Sequence, residues 1–210
     1  MKENTLQMII FAVDPGTRNM GYACFDTDKN AFITFGKFDM QEGVKKKDKT
    51  KYALLTKRFC DTMDDYLRMA DAIIIEAQMQ AKMKMIQTAL QCFYWDKSHV
   101  IGPLAVRKFF KISMNDYNKN KKYSEKLAQL LIRTCNERKL MNTFDKKDDV
   151  ADAIILAKYW DYKSNKKDYS GPDFETQAGI IKKVRVKKRA APCAKSLTGK
   201  KRRKITIKHK

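Results

Sequence analysis

Four acidic residues stand at the ends of predicted core elements, and their types and positions suit metal-dependent chemistry. Asp14 interrupts an apolar strand at its carboxyl end, and Glu76 does the same after residues 73–75. Asp149 and Asp152 are three residues apart and therefore share one face of a predicted helix. Clustered hard oxygen ligands suit Mg²⁺ or Mn²⁺. Two such ions can activate a water molecule and stabilise the leaving oxygen in phosphodiester cleavage.

Each acid also has a purely structural interpretation. Asp14 precedes Pro15-Gly16 and could belong to a turn, while Glu76 could begin the next helix. Asp149 could cap a helix. All four on one α/β frame form a more specific pattern than any of them alone, because carboxylates are costly to bury unless a cation pairs with them.

The elements that must position these acids follow from the hydrophobic pattern. Strands are predicted over 6–13, 20–25, 31–38, 72–75 and 99–101, and helices over 52–69, 79–95, 123–137 and 150–162. Short connections between the first three strands are typical of an antiparallel meander. The order of elements predicts an α/β fold with a mixed five-stranded sheet flanked by helices.

The charge of the chain is concentrated at one end. The 210 residues carry 45 Lys and Arg against 24 Asp and Glu, a net charge of +21. Residues 181–210 hold 14 of those bases and no acid. We expect one domain over 1–165, followed by a linker and a basic, disordered tail over 166–210. The tail could serve solubility, nuclear import or contact with phosphates, and the overall charge favours a nucleic-acid partner.

Several classes of protein are excluded by composition. No apolar run is long enough to cross a membrane, and the N-terminus does not look like a secretory signal. Five Cys without a CxxC pair indicate reduced thiols in an intracellular protein. Two His residues are too few for a His-based metal site.

Three motifs carry a resemblance to a known family. Residues 11–22, Phe-Ala-Val-Asp-Pro-Gly-Thr-Arg-Asn-Met-Gly-Tyr, resemble the D-P-G-x-x-x-x-G first-strand motif of RuvC-type Holliday junction resolvases. Residues 73–78, Ile-Ile-Ile-Glu-Ala-Gln, resemble the family's fourth-strand motif. Residues 149–153, Asp-Val-Ala-Asp-Ala, resemble its C-terminal D-x-A-D-A helix. The length, the absence of extra domains and the basic character are most similar to the poxvirus-type resolvases of large DNA viruses.

This resemblance implies an RNase H-like fold, a homodimer and paired nicking of four-way DNA junctions. It implies that Asp14, Glu76, Asp149 and Asp152 are the catalytic, metal-binding acids, holding Mg²⁺, or Mn²⁺ in its place, with two ions per active site. Asp148 is an alternative to Asp149, since Asp148 and Asp152 are one helical turn apart. The expected setting is DNA recombination, repair and replication, with processing of viral genome concatemers at sites of viral DNA replication in the host cell.

Further residues are candidates for contact with DNA or a partner subunit. Arg18 and Gln78 adjoin two of the acids, and Lys121, Lys122 and Lys126 lie where the resemblance places a DNA-contacting loop and helix start. Ordinary turn and linker positions are the alternative for all five.

The resemblance also places the predicted helix 79–95 at the dimer interface. That helix carries a second apolar row, Met85, Ala89 and Cys92, although plain core packing would use the same residues.

Two other functions fit the same residues. One is an RNase H-like nuclease acting on an RNA–DNA hybrid or a flap. The other is a basic architectural DNA-binding protein whose acids are structural.

Overall fold

A computed structural model of the chain describes residues 7–112, 116–145 and 147–172. The predicted basic tail lies outside these residues. The five strands are β1 (Ile9–Asp14), β2 (Asn19–Asp26), β3 (Ala31–Asp39), β4 (Ala72–Glu76) and β5 (Ser98–Ile101). The helices are α1 (Tyr52–Thr62), α2 (Asp64–Met69), α3 (Ala81–Phe93), α4 (Pro103–Phe109), α5 (Tyr117–Leu131), α6 (Cys135–Thr143) and α7 (Lys147–Ser164).

The strands form one mixed sheet in the order β3-β2-β1-β4-β5. The first three are antiparallel, while β4 pairs parallel to β1 and β5 pairs parallel to β4. The predicted meander and five-stranded mixed sheet are therefore confirmed. Parallel pairing requires a crossover between strands, and the helices α1, α2 and α3 supply it.

Side chains that alternate along the strands build a hydrophobic core on each face of the sheet. In β1, Ile10 and Ala12 pack with α7 and its neighbours, while Phe11 and Val13 point to the opposite face. The first core is covered by α4, α5, α6 and α7, and the second by α1, α2 and α3. The result is a sheet between two helical layers. A strand buried on both faces has an almost continuous apolar sequence, which explains the composition of β1 and β4.

Two predicted helices differ from the observed ones. The single helix predicted over 52–69 is wrong, because α1 ends at Thr62 and α2 begins at Asp64. Met63 between them is buried in the same core, so the apolar spacing continues through the break.

The helix predicted over 123–137 is wrong at both ends, since α5 covers 117–131 and α6 starts anew at 135. Thr134 and Glu137 form a reciprocal capping box there, a sequence signal that could have indicated the second start.

The folded part continues past α7. Tyr169 packs edge-on against Phe110, with the ring centroids 4.9 Å apart. This contact lies beyond residue 165, the predicted end of the domain. Within the part of the chain that the structure describes, no helix combines the length and apolar character needed to cross a membrane.

Candidate active site

Asp14 and Glu76 come together because their strands are parallel neighbours. The register pairs Val13 with Ile75, so the next residue of each strand lies at the same end of the sheet. Side chains alternate between the two faces of the sheet, so Asp14 lies on the same face as Ala12, and Glu76 on the same face as Ile74. That is the face that α7 covers. Both acids therefore point towards the helix that carries the other predicted acids.

Helix α7 brings its first turns to the same place. It packs against β1 and β2 through buried residues that include Val150 and Ile154. Asp149 and Asp152 lie on the side of α7 that faces an open pocket of about 350 Å³, which Asp14 and Glu76 also line. The structure thus gathers all four sequence-predicted acids around one pocket. The catalytic role assigned to them stays a prediction.

The charges in this pocket repel one another. The pKa of Asp14 is raised well above its usual value, first by burial and then by the charges of Glu76 and Asp152. The pKa of Asp152 is raised to about 7, again by burial first and then by Glu76. For both carboxyl groups, burial and neighbouring negative charges outweigh the contacts that favour the ionised form.

Asp148 has a different environment from its neighbour. It forms an ion pair with Lys121 of α5, and its side chain is only 18% exposed. The negative charge of Asp149 raises the pKa of Asp14, and that of Asp148 raises the pKa of Asp152. Asp148 thus already has a cationic partner in Lys121.

The other predicted contact residues divide into two groups. Arg18, Gln78 and Lys121 line the pocket. Lys122 and Lys126 do not line it: Lys122 is exposed on α5, and Lys126 borders a separate groove with Arg138. Lys121 and Lys122, which the resemblance placed at a loop and helix start, lie in the first two turns of α5, which begins at Tyr117. A role in DNA binding stays a prediction for all five.

Sequence reasoning missed two residues beside Asp152. Ser124, which is buried, hydrogen-bonds the Asp152 side chain, and the Arg107 charge favours its ionised form. Arg107 lies on α4, a short helix that was not predicted, and also lines the pocket. Pro103 begins α4, and proline at the first position of a helix is a start signal that could have indicated this helix.

The donor chemistry of the pocket fits a divalent cation. Hard carboxylate oxygens surround it, and a cation would relieve the repulsion that raises the pKa values of Asp14 and Asp152. In the described ranges, however, no group of three or more His, Cys, Asp or Glu side chains is close enough together to hold a metal ion. Asp14, Glu76, Asp149 and Asp152 are the residues that would hold the ion.

The mixed sheet, with acids at the ends of its central strands and on the covering helix, has an RNase H-like α/β fold. The family model described as "Poxvirus A22 protein" matches residues 8–163, and the chain belongs to that family. The resemblance seen in the three motifs is confirmed. No curated protein matches the chain at a significant level.

Solved structures share this fold. The fowlpox virus resolvase in complex with substrate Holliday junction DNA is 22% identical, with 74% of this chain and 98% of that chain covered and a TM-score of 0.57. The fowlpox virus Holliday junction resolvase alone is 22% identical over 75% and 99%, with a TM-score of 0.54. The yeast mitochondrial Holliday junction resolvase Ydc2 is 16% identical over 82% and 85%, with a TM-score of 0.57.

Proposed function

We propose that this protein is a structure-specific endonuclease that resolves four-way DNA junctions by paired cleavage dependent on Mg²⁺ or Mn²⁺. One observation carries the proposal: Asp14, Glu76, Asp149 and Asp152 line a single pocket in a chain of the poxvirus A22 family. The fowlpox resolvase with the same fold was solved with Holliday junction DNA, which supports this substrate. The net charge of +21 supports binding to a polyanion.

The acids and their neighbours have distinct tasks in this mechanism. Asp14, Glu76, Asp149 and Asp152 would hold two divalent ions, and such ions would supply a nucleophilic water and stabilise the leaving oxygen. Ser124 orients the Asp152 carboxylate through a hydrogen bond. Cationic side chains at the rim, Arg18, Arg107 and Lys121, attract the phosphodiester into a pocket that would otherwise repel it.

We propose that the active form is a homodimer built partly on α3. This helix buries Ile86 and Leu90 against the sheet but leaves Met85 56% exposed. At the end of the helix and just beyond it, Phe93 is 45% and Trp95 81% exposed. A second copy of the chain would cover this apolar surface. A two-fold enzyme can place one active site on each of the two related strands of a junction.

The domain limits and the setting follow from the same proposal. Residues 1–165 form the body of the nuclease domain, against which Tyr169 also packs. Residues 166–210 form a linker and a basic tail that contacts phosphates without sequence preference. The protein acts at sites of viral DNA replication in the host cell, where replicated genomes carry branched intermediates and concatemers.

A comparison of substrates tests the function. Purified protein is incubated with Mg²⁺ and a four-way junction, an RNA–DNA hybrid or a flap of matched length, with Asp14→Asn as the control. We expect symmetric paired nicks in the junction and none with the variant. Cleavage of the hybrid or the flap in preference to the junction would indicate another RNase H-like nuclease. Equal cleavage by wild type and Asp14→Asn would reject the enzymatic proposal.

A further inference from the structure

Gln87 is a polar side chain buried on the sheet-facing side of α3. It is 2% exposed and lies between the core residues Ile86 and Leu90 in sequence. A buried amide is costly unless it is hydrogen-bonded. The Gln87 carbonyl oxygen accepts from the backbone N–H of Gln78 at 3.0 Å and from Lys84 Nζ at 3.1 Å. Its own amide nitrogen donates to Gln91 Oε1 at 3.0 Å.

These bonds hold the segment that follows β4. The backbone N–H of Ala77 donates to the carbonyl of Ile101 in β5 at 2.8 Å. The next backbone N–H, that of Gln78, donates to the side-chain carbonyl of Gln87. Two successive residues are therefore tied to two different elements, a strand and a helix, directly after Glu76.

The side chain of Gln78 contacts both strand-end acids. Its amide nitrogen donates to Asp14 Oδ1 at 3.2 Å and to Glu76 Oε2 at 3.3 Å. One amide group thus holds two mutually repelling carboxylates side by side. The position of the Gln78 side chain depends on the position of its backbone, and the hydrogen bond from the Gln78 N–H to Gln87 holds that backbone.

We infer that Gln87 is a positioning residue for cleavage: it fixes the backbone of Gln78, whose side chain sets the spacing of Asp14 and Glu76. The inference rests on the proposed function for its catalytic consequence. Hydrogen bonds that orient metal-binding carboxylates typically change metal affinity or activity 10- to 100-fold, and a misplacement of about 1 Å at a reacting centre has a similar effect.

Three substitutions at Gln87 separate positioning from packing. Gln87→Met keeps the shape but removes the acceptor, and Gln87→Asn keeps the amide but withdraws its oxygen by one methylene. Gln87→Glu retains an acceptor oxygen at full length. Gln91→Met tests the other end of the same side chain: it removes the acceptor of the Gln87 amide nitrogen, whereas the Gln87 carbonyl oxygen keeps its bond to the Gln78 N–H.

Amide hydrogen exchange of Gln78 measures the hydrogen bond without reference to activity. We expect faster exchange at Gln78 in Gln87→Met and Gln87→Asn, and exchange near that of wild type in Gln87→Glu and Gln91→Met. Titration with Mn²⁺ by calorimetry should show affinity reduced about 10- to 100-fold in the first two variants. Unchanged Gln78 exchange in both would overturn the inference.

Cleavage kinetics then test the consequence for the reaction. We expect kcat to fall about 10- to 100-fold in Gln87→Met while KM for the junction changes by no more than about twofold, with recovery in Gln87→Glu. In the Gln78→Met background, Gln87→Met should add little further loss. Fully additive losses would overturn the inference. A wild-type protein that cleaves no junction would reject the proposed function, whereas the exchange and Mn²⁺ measurements would still decide the role of Gln87.

Discussion

The carbonyl oxygen of Asp149 occupies the space that a Cβ atom would need at Gly21. Gly21 lies opposite Asp14 in the antiparallel pair of β1 and β2, so this contact sits directly beside the first acid of the site. The missing side chain lets the first turn of α7 approach the sheet closely. Gly21 is also the last glycine of the D-P-G-x-x-x-x-G motif, which gives that motif position a structural reason.

Gly21→Ala should therefore damage the active site. The added methyl group would push the start of α7 away from Asp14, and overpacking of this kind costs about 1–3 kcal/mol. We expect a lower melting temperature and a larger loss of junction cleavage than of DNA binding. Gly102→Ala is the control, since a Cβ at Gly102 meets no atom within 4 Å. Equal cleavage by the two variants would contradict the close-approach argument.

The acids of α7 should differ in their sensitivity to substitution. Asp149→Asn should reduce cleavage about a hundredfold or more, because several kcal/mol of charge stabilisation are lost. Asp148→Asn should be mild, since Asp148 is paired with Lys121. Junction binding should persist or tighten in both, because removing an acid lowers its repulsion of phosphates. A severe Asp148→Asn together with a mild Asp149→Asn would reverse the assignment.

Much of the site could be predicted because its acids break apolar runs. Asp14 and Glu76 are conspicuous in sequence for that reason, and the short apolar runs before them predict the positions of the strands. Ser124 and Arg107 could not be found in this way, because they come near Asp152 only through the packing of α4, α5 and α7. Gln87 was hidden for a similar reason: it lies within an apolar helical pattern, and the partner that links it to the site is the backbone N–H of Gln78.

The stability of the metal-free protein should fall as pH rises. Asp14 and Asp152 have raised pKa values in the folded state, that of Asp152 being about 7 against an ordinary 3.8. Between these values the folded protein binds more protons than the unfolded chain, so raising the pH through this window favours unfolding. Thermal unfolding with a chelator should show a falling melting temperature, and Asp152→Asn should flatten the fall. A pH profile of Asp152→Asn identical to wild type would refute this account.

If the dimer forms on α3, a charge introduced on the exposed face of that helix should weaken self-association, whereas a charge at an equally exposed position elsewhere should not. Met85→Glu would place a carboxylate in the apolar interface and should weaken self-association at micromolar concentration. It should also uncouple the two nicks in a junction. Leu130→Glu is the matched control, because Leu130 is 55% exposed on α5 and Met85 is 56% exposed on α3. Light scattering that reports an active wild-type monomer would contradict the proposal.

The basic tail should contribute affinity without contributing shape recognition. Deletion of residues 181–210 removes 14 bases. Each lost phosphate contact lowers the slope of log K against log salt by about 0.9 on duplex DNA, so four or five engaged bases would change it by about four. Because a polycation responds only to charge, binding to junction and duplex should weaken alike and the preference for junctions should remain.

Salt titrations of the full-length and truncated proteins distinguish this role from others. The difference in affinity should be large at low salt and fade as salt rises, because screening and counterion release act on the same contacts. An unchanged slope after truncation would assign the tail to another task, such as import or partner binding. A selective loss of the junction preference would mean that the tail belongs to the surface that recognises the branch point, since charge alone has no means of telling a junction from a duplex.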